Sequence, residues 1–288
     1  MYFLEGAAIN LQTIMVLAQA HLPEGEPLTE STVARAYRGY LADLQPGVPS
    51  TPTAETFLVR DEPQAQFLAD LFGLQGSPAE TRQKAVMEKP SMDDRKVAFF
   101  EEGLKRLAQY DPELSALFQM AVKSIFSTPV SPIAGSMTVR AALGVMWVYP
   151  LATWATDDLI EAYVHELTHT LVMLDERRFT HYPHYDELDR EENLVNSAIR
   201  NEKRSLFASV HSVFVASELL QLRESHHGHG MEFRIHPPSR GMREKSLIAL
   251  ESVLALPNIE RLASPRLREL LEKTGKQLDA IRPGALGS

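Results

Sequence analysis

The chain contains no cysteine. Disulfides and thiolate metal ligands are excluded by that alone, and the composition suits a reducing cytoplasm, where the protein is expected. Positive charge is scarce too: 29 Lys and Arg stand against 38 Asp and Glu, for a formal net charge of -9. Phosphate backbones are gripped by basic surfaces, so nucleic acid is not expected as a partner. Apolar runs of 18 or more residues are missing, and residues 1–20 hold Glu5 but neither Lys nor Arg. Neither a membrane span nor a signal peptide is therefore expected, and residues 6–20 read as a first packed helix. What is present is ordinary: 288 residues, 44% hydrophobic and 23% charged, is the make-up of a globular protein with a sizeable core.

Along the chain the pattern is mostly helical. Apolar residues recur at three- and four-residue steps over 29–44, 64–72, 79–87, 92–109 and 112–126. Ser31 or Thr32 offers a cap to the first of these. Residues 45–63 carry Pro46, Pro49, Pro52 and Pro63 and read as a surface loop. The character changes near Thr128, where Pro129, Pro132 and Gly135 precede a stretch over 137–149 rich in Val, Met, Trp and Tyr. That stretch predicts one or two strands. Residues 180–192 read as a polar loop, and His226, His227 and His229, set among glycines, as a solvated turn. Two closing helices are expected over 240–256 and 264–281. The fold class is α+β and predominantly α-helical, with a small strand region ahead of one central helix. Residues 1–127 are expected to form a helical N-terminal region, 128–283 a metal-binding catalytic region integrated with it, and 284–288 a disordered tail.

That central helix carries the chemistry. His165-Glu166-Leu167-Thr168-His169 places two imidazoles four residues apart, rotated by only about 40° and offset by about 6 Å along a helix axis, so both can grip one cation. Asp158 with Glu161 has the spacing of a capping pair, and Asp157 adds negative charge where a helix N-terminus favours it. The flanking Ala162, Tyr163, Val164, Leu167, Leu171, Val172 and Leu174 are uncharged, so the helix is expected to be buried on most sides. The plain alternative is two core histidines bonded to backbone carbonyls.

A metal site of this kind needs a third protein ligand. Asp175 lies six residues after His169, and Glu191 and Glu192 lie 22 and 23 after it. His211 is a further candidate. On a helical wheel Arg200, Arg204, His211 and Glu218 share one stripe of an otherwise apolar segment, which predicts a second wall for the site. Arg204 is seven residues before His211, about 10 Å along a helix axis. A guanidinium at that distance suits the far carboxylate of a five-carbon diacid such as 2-oxoglutarate.

Taken together, the HExxH pentad, Arg200-Asn201-Glu202-Lys203-Arg204-Ser205-Leu206 and His211-Ser212-Val213-Phe214 resemble the HExxH-type peptide β-hydroxylases of bacterial peptide natural-product clusters. The likeness covers roughly 137–222, with a fainter echo in 264–281. The resemblance implies an iron(II) and 2-oxoglutarate dependent dioxygenase acting on a ribosomally made precursor peptide. His165, His169 and His211 would then be the iron ligands, Arg204 the cosubstrate anchor with Arg200 in reserve, and Glu166 a supporting partner. Ser205 departs from the family pattern, which has proline there, and this puts the turn in question. Two other readings remain at this point: a zinc metallopeptidase with Glu166 as general base, and a binding protein without catalysis.

Overall fold

The structure is a computed structural model, and it describes residues 5–50, 55–74, 92–128, 135–198 and 202–281. The helix expected over 79–87, Arg200 and the tail 284–288 lie outside the described residues. Ten α-helices and six short strands are present among the described residues, so the chain is a predominantly helical α+β protein. Among those residues no helix is long and apolar enough to cross a membrane. By packing, the chain divides into one unit over Ala7–Met173 and another formed by Met1–Gly6 with Leu174–Ser288. The division falls inside the central helix, not near residue 127 where the composition changes.

In the unit Ala7–Met173, α1 (Ala7–Leu17), α2 (Glu30–Leu44), α3 (Glu62–Leu71), α4 (Asp94–Tyr110) and α5 (Pro112–Ala121) accompany a four-stranded sheet. The caps follow local chemistry. Thr29 and Thr32 form a capping box on α2, so the cap is Thr29 rather than Ser31 or Thr32, and Asp61, Asp93 and Asp111 each accept from a backbone N–H at a helix start. The sheet runs β1 (Phe57–Leu58), β2 (Ser124–Phe126), β4 (Val145–Tyr149), β3 (Gly135–Met137). Three strands are parallel, and β3 is the antiparallel edge, with Ser136 opposite Val148.

Two expectations are corrected here. The helix read over 112–126 stops at Ala121, because Ser124, Ile125 and Phe126 pair into the sheet and are fully buried on both faces. The loop read over 45–63 is interrupted by β1, and Val59 beyond it is buried in a cluster with Leu68, Phe72, Phe126 and Trp147. A buried parallel strand shows no alternation, which is why its sequence does not announce it.

Helix α6 (Thr156–Phe179) bears the HExxH pentad. Its start differs from the expected cap: Asp158 lies in the first turn and accepts from the Ala155 N–H at 2.8 Å, the reaching-back half of a capping box. Its depth in the unit is set by α4. A methyl group at Gly103 would meet Leu159 Cδ2 at 2.6 Å and Tyr163 Cε2 at 3.1 Å, so glycine is what allows the two helices this approach. Tyr163 then donates its hydroxyl to the Phe100 carbonyl at 3.1 Å, fixing the turn before His165.

The second unit is built on α7 (Leu206–Leu222), in which 14 of 17 residues are buried. It packs with α8 (Ser239–Leu254) and α10 (Pro265–Ala280); α9 (Ile259–Leu262) is a single turn before α10. β5 (Val195–Asn196) and β6 (Lys203–Arg204) form a two-stranded ribbon ahead of α7. Past α7 the chain continues as a π-turn over Arg223–His227. The histidines here are not a solvated turn: His229 is 8% exposed, and His227 meets the Phe233 ring edge-on.

Candidate metal centre

The one-turn spacing of the pentad brings His165 and His169 together as expected. Their Nε2 atoms stand 3.1 Å apart, with ring centroids at 4.9 Å. Two imidazole nitrogens bound to one ion at about 2.1 Å each stand about 3 Å apart when the angle between them is near 95°. The pair therefore has the separation that a shared ion requires. Both rings are partly buried, and desolvation pushes the His169 pKa down to about 4. At neutral pH its ring is uncharged, the form in which an imidazole binds a cation.

Glu166 completes the cluster. Its Oε1 lies 3.7 Å from His165 Nε2, and the residue has no exposed surface. Neither carboxylate oxygen makes a hydrogen bond of standard geometry among the described residues. Burial pushes its pKa up to about 7, and the hydroxyls of Ser136 and Thr138, at the sheet edge, offset only part of that rise. A buried carboxylate left so poorly satisfied is costly, and such groups concentrate at functional sites. Sequence reasoning missed Ser136 and Thr138. Their signal was available, because residues two apart on a strand share a face. By contrast Thr168 and Thr170 spend their hydroxyls on the carbonyls of Val164 and Glu166 in their own helix, at 2.7 and 3.0 Å.

The remaining expected residues are placed as follows. His211 lies in the second unit on α7, 2% exposed, its ring 4.1 Å from that of Phe207 one turn earlier. Glu218, two turns later, is 1% exposed. Arg204 is not on that helix. It ends the β5–β6 ribbon, pairs in register with Val195, is 40% exposed along its side chain and lies 3.9 Å from Glu202. Ser205 ends the ribbon by capping α7, accepting from the Ala208 N–H at 3.3 Å. The helical stripe linking Arg204 to His211 is thus broken at Ser205, and helix pitch no longer supports the spacing drawn from it. Ser205 also answers the doubt over the turn, since serine is among the best residues to start a helix.

Among the carboxylate candidates, Glu191 and Glu192 stand exposed on a short turn. Asp175 is engaged elsewhere: it accepts from His181 at 2.7 Å and from the Arg266 guanidinium at 2.6 and 3.1 Å, all within the second unit. Among the described residues no group of three or more His, Asp or Glu side chains is gathered closely enough to hold an ion. The residues present therefore fit two ligand positions and a neighbouring carboxylate. Comparison of the sequence with protein-family models gives no match, and comparison with curated proteins gives none either.

Proposed function

We propose that His165 and His169 hold an iron(II) ion and that the chain is a 2-oxoglutarate-dependent dioxygenase hydroxylating the β-carbon of a residue in a ribosomally made precursor peptide. The observation that carries this reading over peptide hydrolysis is the burial of Glu166. A general base has to come within about 3 Å of the water it deprotonates. Glu166 has no exposed surface, whereas His165 keeps 18% of its side chain open. The histidines are thus the groups that meet incoming molecules, and Glu166 supports them from within.

Each residue then has a defined task. His165 and His169 supply two neutral donors from one rigid helix, held in place by Tyr163 and the close approach at Gly103. Glu166 places a carboxylate on the side of the Nε2 atoms, compensating part of the charge that neutral imidazoles leave on a dication. When bound, iron(II) would supply the oxygen chemistry, with 2-oxoglutarate as reductant. His211 as third ligand and Arg204 as cosubstrate anchor now rest on the family resemblance, since the helical argument for Arg204 is gone.

One observation favours a second reading, a zinc metallopeptidase. The Glu166 carboxylate lies beside the paired nitrogens with neither oxygen committed to a hydrogen bond among the described residues, as a base awaiting water would. A single assay separates the two. Anaerobically iron-loaded protein given oxygen, 2-oxoglutarate and candidate peptides should yield succinate and peptide heavier by one oxygen atom. Peptide cleavage by zinc-loaded protein without oxygen would replace the oxygenase reading by the hydrolytic one. Arg204→Ala should raise the 2-oxoglutarate concentration needed for half-maximal rate about tenfold or more, and an unchanged requirement would remove Arg204 from that role.

A further inference from the structure

The sheet of the unit Ala7–Met173 has two edges, and the metal centre lies at only one of them. The hydroxyls of Ser136 and Thr138 stand by Glu166 at the β3 edge, whereas β1 ends the sheet on the opposite side. Three interstrand spacings of about 4.8 Å put β1 about 14 Å from β3. β1 is bound on one side only. Phe57 donates to the Lys123 carbonyl at 3.1 Å and Val59 to the Ile125 carbonyl at 2.9 Å, which uses the odd-numbered residues of the run. The N–H and C=O of Leu58 therefore face away from β2, and no hydrogen-bond partner for them stands among the described residues. An edge strand with such groups is a template for another strand.

That free edge opens into a cleft. Thr56, Leu58 and Arg60, which alternate with the residues bonded to β2, form one wall. Val97, Glu101 and Leu104 of α4, at the three- and four-residue steps of one helix face, form the other. The volume is about 420 Å³, within the range of about 300–1,000 Å³ found for binding clefts, and gives room to a short segment of chain. Val97 is buried and Leu58 and Leu104 are half-buried, so the floor is aliphatic. The rim is acidic. Glu55 and Glu101 are exposed and carry no ion pair among the described residues, while Arg60 has Asp94 at 3.5 Å.

We infer that this cleft docks an extended, cationic segment of a peptide, which adds to β1 as a further strand and brings Lys or Arg to Glu55 and Glu101. Its aliphatic side chains settle on Leu58, Val97 and Leu104. Backbone hydrogen bonds give such a complex its affinity, and the pocket and rim charges give its selectivity. A second copy of the chain is the poorer occupant, since pairing β1 with its own copy would set like carboxylates against each other. The docked segment anchors the peptide at one sheet edge while a different residue of it reaches the histidines at the other. The inference rests on the proposed function only in taking the docked peptide to be the substrate.

The test is fluorescence anisotropy of the full-length, metal-free protein with a labelled nine-residue peptide alternating Lys and Val. Saturable binding is expected, about tenfold or more tighter than that of the same peptide with Glu for Lys. Glu55→Lys with Glu101→Lys, both at exposed positions, should weaken it about tenfold or more, and His165→Ala should leave it unchanged. N-methylation of the Lys amides and of the Val amides should act unequally, one set abolishing binding and the other sparing it, because only alternate N–H groups of an added strand face β1. Equal binding of the acidic peptide, equal effects of the two methylated sets, or binding that survives the double charge reversal would overturn the inference. So would binding that disappears in His165→Ala, or a dimer of the chain that the charge reversal dissociates. Because metal is absent throughout, a failed oxygenase assay leaves this outcome standing, and failed docking leaves the oxygenase assay standing.

Discussion

The stretches of α6 before and after Met173 hold buried polar groups in opposite ways. In the first, His165, Glu166 and His169 crowd together, and the Glu166 carboxylate has no standard hydrogen bond among the described residues. In the second, Asp175 has its charge answered on both oxygens: His181 and Arg266 bond to it, Glu5 pairs with Arg266 from the far end of the chain, and Lys273 reaches Glu5 at 2.7 Å. Burial pushes the acidity of Asp175 toward weaker, yet the hydrogen bonds from His181 and Arg266 prevail and hold its pKa below the ordinary range. One helix thus carries a network that is satisfied and a carboxylate, that of Glu166, without a standard hydrogen bond among the described residues. The first is what a stable fold builds, and the second is the kind of group that concentrates at functional sites.

The largest effect that would sharpen this contrast is the loss of His165 or His169. Either change to alanine should lower retained iron or zinc at least a hundredfold by elemental analysis, while the unfolding free energy of the metal-free protein in urea changes by less than about 1 kcal/mol. A large drop in stability with metal retained would erase the distinction. Asp175→Ala should do the reverse, costing about 3–5 kcal/mol in urea unfolding because His181 and Arg266 are left buried without it. The wild-type contribution of Asp175 is present above the ordinary carboxylate range and lost as pH falls through its lowered pKa, so the variant and the wild type should converge in acid.

Lys123 extends the comparison to a buried lysine whose pKa is lowered by desolvation first and by Arg38 second. Its pKa falls from 10.5 to about 8 on folding, so between those values the unfolded chain binds the extra proton and stability rises with pH. Below pH 8 the penalty is complete. Lys123→Met should therefore stabilise the protein by about 3 kcal/mol at pH 7, and the gain should shrink through pH 8–10.5. Equal stability at pH 7 would show the lysine to be fully compensated. Glu166→Gln in metal-free protein should be neutral or stabilising by about 1–2 kcal/mol, as removal of an unsatisfied buried charge is. The smallest change, Glu5→Gln, should cost about 1 kcal/mol by weakening its pairs with Arg266 and Lys273.

What was legible in the sequence was whatever a single element determines. The meeting of His165 with His169 follows from helix pitch, and α1, α8 and α10 stand within a few residues of where their periodicity placed them. Errors arose where one element was assumed to continue. The wheel drawn from Arg200 through Glu218 treated 200–222 as one helix, although Ser205 before an apolar run is itself a start signal. The Ser-Ile-Phe strand was absorbed into a helix because three apolar-flanked residues carry no period. His181 passed as part of a polar loop, yet it is fully buried against Asp175.

By itself the sequence determined the periodic helices and the histidine pair, because each depends on contacts within a few residues of chain. Only tertiary structure decided that Glu166 is buried beneath a sheet edge, that Asp175 answers an arginine 91 residues away which it shares with Glu5, and that Arg38 and Lys123 border one void. Desolvation and charge pairing depend on what is brought close in space, and no local pattern of residues encodes that.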